Sequence, residues 1–125
     1  MIIGTGIDVV DIARFRSVMD RLKDRFVQKV FAPAERDFCL GHRDPVPHFA
    51  ARFAAKEALF KALGTGWTQG VTWLDAEVRR ERAGVPVLLL HGEAERLSLG
   101  KGTTRVHLSL SHTAQWAVAT VILEK

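Results

Sequence analysis

The chain has 125 residues, 47 % of them hydrophobic and 26 % charged, which excludes intrinsic disorder and leaves room for one domain of about 100–200 residues. Eighteen Lys and Arg against fourteen Asp and Glu give +4, which favours an acidic or phosphorylated partner without choosing among nucleic acid, nucleotide and acidic protein. A single cysteine, Cys39, excludes an internal disulfide and a Cys-rich zinc site; the N-terminal run lacks a basic start, Asp8 interrupts it, and no apolar run nears the ~20 residues of a membrane span, so we expect a cytoplasmic protein with no membrane partner.

Residues 2–10 read as a strand. Ile3, Thr5, Ile7 and Val9 share one face; Ile2, Gly4, Gly6, Asp8 and Val10 share the other. The two glycines permit another backbone to come close, and they equally clear space beside the Asp8 carboxylate. Asp11 is an N-cap for a helix from Ile12, whose apolar stripe is Ile12, Phe15, Met19, Leu22 and Phe26. At ~100° per residue, Arg14, Arg21 and Arg25 fall within about 40° of one another on a neighbouring face. Such a stripe is either a solvated face or a dock for an acidic helix.

Phe31 to Phe38 reads as a turn and short helix with Pro33 near its start, and Gly41 to Pro47 as a loop. Residues 48–63 form a second strong helix, ended by Gly64-Thr65-Gly66. Strands follow at about 71–79 and 85–91, then a short helix at about 92–99, then strands at about 104–111 and 115–123. The pattern predicts one α+β domain over 1–125, with about three helices on a mainly antiparallel sheet of about five strands.

The helix at 48–63 is the most informative segment. With Phe53 at zero on the wheel, Phe49, Phe60 and Gly64 fall within about 40°, and Glu57 falls at about 40°, inside the aromatic stripe. Ala51, Ala55, Ala58 and Ala62 make a small-residue face opposite. A carboxylate set in a helix buried on both sides is costly unless something positive meets it. Two partners are open: Lys61 at i+4, or a divalent metal shared with Asp8. Arg52, Lys56 and Lys61, with the Gly64-Thr65-Gly66 turn, have a phosphate-cradling composition, although no P-loop is present. His107, Ser109 and Ser111 alternate with Val106, Leu108 and Leu110, and His112 ends that strand. There is no G-x-S-x-G and no H-E-x-x-H.

Taken together, Gly6-Ile7-Asp8, Arg14-Phe15, Phe31 with Glu35, Phe49-Ala-Ala-Arg-Phe-Ala-Ala-Lys-Glu-Ala58, Lys61-Ala-Leu-Gly-Thr-Gly66, Trp73-Leu-Asp-Ala-Glu-Val78, Gly84-Val-Pro86 and Leu108-Ser-Leu-Ser-His-Thr113 resemble the small bacterial phosphopantetheinyl transferases, the holo-acyl-carrier-protein synthase family, over the whole length. The resemblance implies transfer of 4′-phosphopantetheine from coenzyme A to a serine of an apo acyl carrier protein, with release of adenosine 3′,5′-bisphosphate, dependence on Mg²⁺ and a role in fatty acid biosynthesis. It implies Asp8 and Glu57 as metal ligands and Lys61 as the phosphate-holding residue. Arg52, Gly64, Thr65, Gly66, Ser111 and His112 would bind the rest of coenzyme A. The acceptor of the serine proton stays open among a metal-held water, Glu57 and His112. Arg14, Arg21 and Arg25 would meet the carrier's acidic helix. The resemblance further implies a homotrimer with sites at subunit junctions, and no nucleic-acid partner. Two rivals remain at this level: a non-catalytic basic module for nucleic acid or acidic protein, and a Mg²⁺-dependent phosphohydrolase using Asp8 and Glu57.

Overall fold

A computed structural model of the chain describes residues 1–66, 68–81 and 83–125. Its elements run β1 (Ile2–Asp11), α1 (Ile12–Val30), α2 (Pro33–Leu40), α3 (Val46–Leu63), a 3₁₀ turn (Trp73–Asp75), β2 (Ala76–Arg80), β3 (Pro86–Leu90), α4 (Gly92–Gly100), β4 (Arg105–His112) and β5 (Trp116–Glu124). This is the expected α+β class. The Glu35 carboxylate accepts from Ala32 N–H at 2.9 Å and caps the short helix after Pro33, and the α-helices among the described residues number four against about three expected.

The strands form two antiparallel sheets among the described residues rather than one, in the orders β1-β5-β4 and β2-β3. A cleft lined by Leu88, Leu90, Leu99 and Val106 separates β3 from β4, so their backbones do not join. The first part of the expected strand at 71–79 is instead the 3₁₀ turn, where Asp75 Oδ1 accepts from the Thr72 hydroxyl and Asp75 Oδ2 from Thr72 N–H.

α3 is the centre of the molecule. Phe49, Leu59, Phe60 and Leu63 are at most 2 % exposed, and burial of each stabilises the fold by about 1.5–3 kcal/mol. Its alanine face takes the β1–β5 side. A Cβ on Gly6 would stand 1.8 Å from Ala58 O, and one on Gly4 2.3 Å from Ala62 O. Both distances are impossible for real atoms, so glycine is what lets β1 lie backbone-on-backbone against α3. Ala117, Ala119, Val121 and Leu123 of β5 complete this core with no exposed surface. A bulge between Ile2 and Gly4 packs the partly buried Ile3 against the core, which separates it from Thr5, Ile7 and Val9, with which strict alternation grouped it.

α1 closes the other side through aromatic contacts. Phe15 meets Phe26 at 5.6 Å and Phe53 at 5.2 Å between ring centroids, and Phe53 meets Trp73 at 4.8 Å. Asp11 caps α1 as predicted, its Oδ1 accepting from Arg14 N–H at 3.2 Å. The helix is not continuous, because Lys23 has φ 53° and ψ −140°. The predicted stripe therefore fails at Leu22, which is 43 % exposed, while Phe26 rejoins the core beyond the kink.

Candidate active site

The parity of β1 that points Gly4 and Gly6 at α3 also points Asp8 there, one residue pair beyond the closest approach. Asp8 and Glu57 line one open cavity of about 700 Å³, together with Asp11, Arg14, Phe53 and Trp116. Burial raises the Glu57 carboxyl above the usual carboxylate range, nearby Asp8 raises it further, and Lys61 opposes both. The two acids thus feel each other as like charges. Lys61 does not pair with Glu57 at i+4. Its Nζ donates to Asp8 Oδ1 at 3.0 Å and to Ile7 O at 2.9 Å.

Two adjacent carboxylates of which one is half-buried and reluctant to ionise are a donor set that fits a hard divalent cation, which holds such a pair with phosphate oxygens and water. Among the described residues no group of three or more His, Cys, Asp or Glu converges to hold a metal. Two protein oxygens are what Mg²⁺ needs when the substrate supplies the rest.

Other predicted residues are placed differently. Lys56 is not part of a phosphate cradle. It has no exposed surface, and its Nζ donates to Glu35 Oε1 at 2.8 Å, to Trp73 O at 3.1 Å and to Ala76 O. Glu35 Oε2 accepts from Val78 N–H at 3.0 Å. This buried pair ties α2, α3 and β2 together. Spacing gave no sign of it, although Glu35 three residues past Ala32 is a cap position that could have drawn notice.

Arg52 is also buried, at 2 % exposure, so it offers almost no surface to a ligand. Its guanidinium lies 4.0 Å from the Phe38 ring centroid, and its Nη1 donates to His48 O at 3.5 Å. In the Gly64-Thr65-Gly66 turn, Gly64 N–H bonds Lys61 O and Thr65 N–H bonds Phe60 O. These two amides cap α3 and so are committed, which takes them out of the predicted phosphate cradle.

Ser111 and His112 point to opposite faces of β4. Ser111 pairs with Val118 on the outer face, which also carries Ile7 and Val9 of β1; these two are 56 % and 54 % exposed. His112 turns to the inner side and meets the His48 ring at 5.2 Å. That is the far end of α3, about 13 Å along the axis from Glu57 at 1.5 Å per residue. Within one chain the structure does not bring His112 beside the Asp8–Glu57 pair.

The kink at Lys23 falls between Arg21 and Arg25, and the three arginines line two different cavities. Arg14 lines the Asp8–Glu57 cavity. Arg21 and Arg25 line a second one with Lys29, Leu22, Phe26 and Trp73. All three arginines are exposed.

This helix-on-sheet arrangement, with its acidic pair at the β1–α3 contact, is the fold of a class of small transferases. Holo-[acyl-carrier-protein] synthase from Neisseria meningitidis superposes with a TM-score of 0.91 at 30 % identity, covering 100 % of both chains. That from Bacillus anthracis, solved in complex with CoA (3′,5′-ADP), has a TM-score of 0.81 at 36 % identity, over 98 % of this chain and 96 % of that one. In sequence, the holo-[acyl-carrier-protein] synthase of Koribacter versatilis is 52 % identical over 99 % of each chain. A family model described as the 4′-phosphopantetheinyl transferase superfamily matches residues 4–121. The chain belongs to that superfamily.

Proposed function

We propose that this chain transfers 4′-phosphopantetheine from coenzyme A to a serine hydroxyl of an apo acyl carrier protein, in support of fatty acid biosynthesis in the cytoplasm. The serine oxygen forms a bond to the β-phosphorus, the pyrophosphate P–O bond breaks, and adenosine 3′,5′-bisphosphate leaves. The observation that carries this reading is the Asp8–Glu57 pair on one cavity wall with Lys61 beside it. Asp8 and Glu57 would hold Mg²⁺, which supplies charge neutralisation to the pyrophosphate when bound. Lys61, 53 % exposed at its side chain, can swing its ammonium from Asp8 toward a phosphate and stabilise the leaving group. Of the candidates for the serine proton, Glu57 is the one within the cavity, and its raised proton affinity suits that role. Arg14, on the same wall, would bring the carrier's acidic surface to the site, with Arg21 and Arg25 engaging it at the neighbouring cavity.

The outer face of β1-β5-β4 supports a homotrimer with shared sites. It presents Ile7 and Val9 more than half exposed beside Val118 and Ser111. A second copy seated there would bring Ser111 to a junction, which reconciles its predicted coenzyme contact with its outward position. Among the described residues, no helix is long and apolar enough to cross a membrane.

The test is intact mass spectrometry of an apo acyl carrier protein incubated with this protein, coenzyme A and Mg²⁺, with a chelator control. A chelator-sensitive gain of one phosphopantetheine is expected. Phosphate release from coenzyme A without a protein acceptor would instead favour a phosphohydrolase.

A further inference from the structure

Trp116 is an aromatic side chain that the fold leaves without a partner at the reaction cavity. Trp73 packs on Phe53 and Phe60, at 4.8 Å and 5.9 Å between ring centroids. The Trp116 side chain, by contrast, makes no ring contact and no hydrogen bond among the described residues, and Trp116 is 47 % exposed. It lines the cavity that holds Asp8 and Glu57. It also lines a smaller hollow of about 350 Å³ with Asp11, Ala13 and Gln115.

This exposure goes with a tightly held backbone. Thr113 Oγ1 accepts from Trp116 N–H at 3.1 Å and from Gln115 N–H at 3.2 Å, and Thr113 N–H donates to Trp116 O at 2.8 Å. Gln115 O accepts from Ile12 N–H at 3.0 Å, which ties the β4–β5 turn to the start of α1. In the β1–β5 register Trp116 is opposite Asp11 and diagonal to Val9, which is also exposed. The fold thus presents an indole from a fixed position, and a ligand that covers it has little further ordering to do there.

Its place along β1 decides which part of the substrate it meets. Lys61 bonds Ile7 O and Asp8, so the leaving bisphosphate belongs at that end. Trp116 stands beside Asp11, three residues and about 10 Å farther along the strand. On the helix side the cavity carries Arg14, whose charge suits the acidic carrier. On the strand side it carries Val9 and Trp116, while the Asp11 carboxylate is committed to capping α1. That side suits an uncharged, slender chain. The pantetheine arm of coenzyme A is such a chain, with a carbon bearing two methyl groups close to the phosphate and two amides beyond it. Methyl groups pack on an indole face, and an amide carbonyl accepts from indole Nε1–H.

Resting on the transferase reading above, we propose that Trp116 is a specificity-determining contact for the pantetheine arm, recognising the transferred half of the coenzyme and not its nucleotide.

The experiment is calorimetric titration, in Mg²⁺, of two ligands into the full chain. One is coenzyme A. The other is adenosine 3′-phosphate 5′-diphosphate, which keeps the nucleotide and the pyrophosphate and lacks the arm. Trp116→Ala is expected to lose about fivefold or more in affinity for coenzyme A, with affinity for the armless nucleotide within about twofold of wild type. Trp116→Phe, which keeps an aromatic face, should recover most of that loss. Trp116→Leu takes the place of the alanine variant if that one does not fold. Equal losses for the two ligands, as a disturbed subunit junction would give, overturn the inference, and so does no loss for either. A raised KM for the apo carrier with coenzyme affinity intact also overturns it, and assigns the indole to the carrier. Folded wild-type protein that binds neither ligand and leaves an apo carrier unmodified would overturn the transferase reading along with it.

Discussion

The Lys61 ammonium sits 3.0 Å from Asp8 Oδ1 and 2.9 Å from Ile7 O, and thereby serves as the counter-ion of the carboxylate on the neighbouring strand, not of Glu57 one turn before it on its own helix. A cation that enters between Asp8 and Glu57 must share Asp8 with this lysine. An exposed ion pair of this kind contributes about 0.2–1 kcal/mol. Lys61→Met is therefore expected to tighten Mg²⁺ or Mn²⁺ binding to the coenzyme-free protein, by no more than about fivefold. The same variant should lose most of its transfer activity, since the phosphates lose their lysine. Manganese binding followed by electron paramagnetic resonance reads the first effect. Weaker metal binding in the variant would show that Lys61 assists the metal rather than competing with it.

Glu57 gives the pH dependence of that metal site. Its carboxyl is raised by burial first and by Asp8 second. A metal needs the ionised form, so Mg²⁺ affinity should begin to fall, as pH is lowered, at a higher pH than for an exposed glutamate. The linkage to stability runs the other way. A carboxyl raised in the folded state stabilises the fold below its unfolded value and loses that contribution as pH rises through the folded one. In chelator at pH 7, Glu57→Gln should therefore melt higher than wild type, and added Mg²⁺ should raise the wild-type melting temperature while leaving the variant unmoved. A melting temperature lowered by Glu57→Gln in chelator would refute this account.

The parts of this molecule that the sequence foretold share a cause: they follow from periodicity along one element. The alternation Gly4, Gly6, Asp8 implied a strand close against another backbone and the face Ala51, Ala55, Ala58, Ala62 a closely packed helix, and the Ala58 O and Ala62 O distances show that the two meet each other. Glu57 within a phenylalanine stripe implied a carboxylate with something to meet. What was not legible depends on contacts between distant segments. Lys56 looks like one more basic residue until Glu35, 21 positions earlier, is folded beneath it. Arg14, Arg21 and Arg25 form one stripe only if the helix is straight, and the left-handed φ at Lys23 is not encoded by any glycine or proline. The contact of His112 with His48 joins a strand end to a helix start, which no spacing rule connects.

The two cavities separate two effects that a single docking stripe would merge. Arg14 shares its cavity with Asp8 and Glu57, whereas Arg21 and Arg25 lie in a different one. Arg21→Glu is expected to raise KM for the apo carrier about tenfold, with little change in kcat or in coenzyme affinity. Arg14→Glu should raise KM for the carrier too, but it also places a third acid beside the pair, and its Mg²⁺ requirement should shift. Steady-state kinetics with varied carrier and varied Mg²⁺ distinguish the two. Identical responses from both variants would argue that the two cavities act as one docking surface.

The Lys56–Glu35 pair makes the sharpest stability prediction. Both side chains are fully buried, and each polar group is satisfied: the lysine by Glu35 and two carbonyls, the glutamate by the lysine and the amides of Ala32 and Val78. Burial lowers the proton affinity of Lys56, while Glu35 works against that effect. Removing one partner strands the other as a buried charge, so Lys56→Met alone should cost about 3–5 kcal/mol in urea unfolding. The double variant Lys56→Met/Glu35→Gln removes both charges, while the neutral amide side chain it introduces keeps a carbonyl oxygen to accept from Val78 N–H. It should recover most of the loss, because a desolvated ion pair contributes little net stability over a well-packed neutral pair. Equal losses in the single and double variants would mean that the clasp acts through its hydrogen bonds to Trp73 O and Ala76 O, and that the charge of Glu35 is incidental to it.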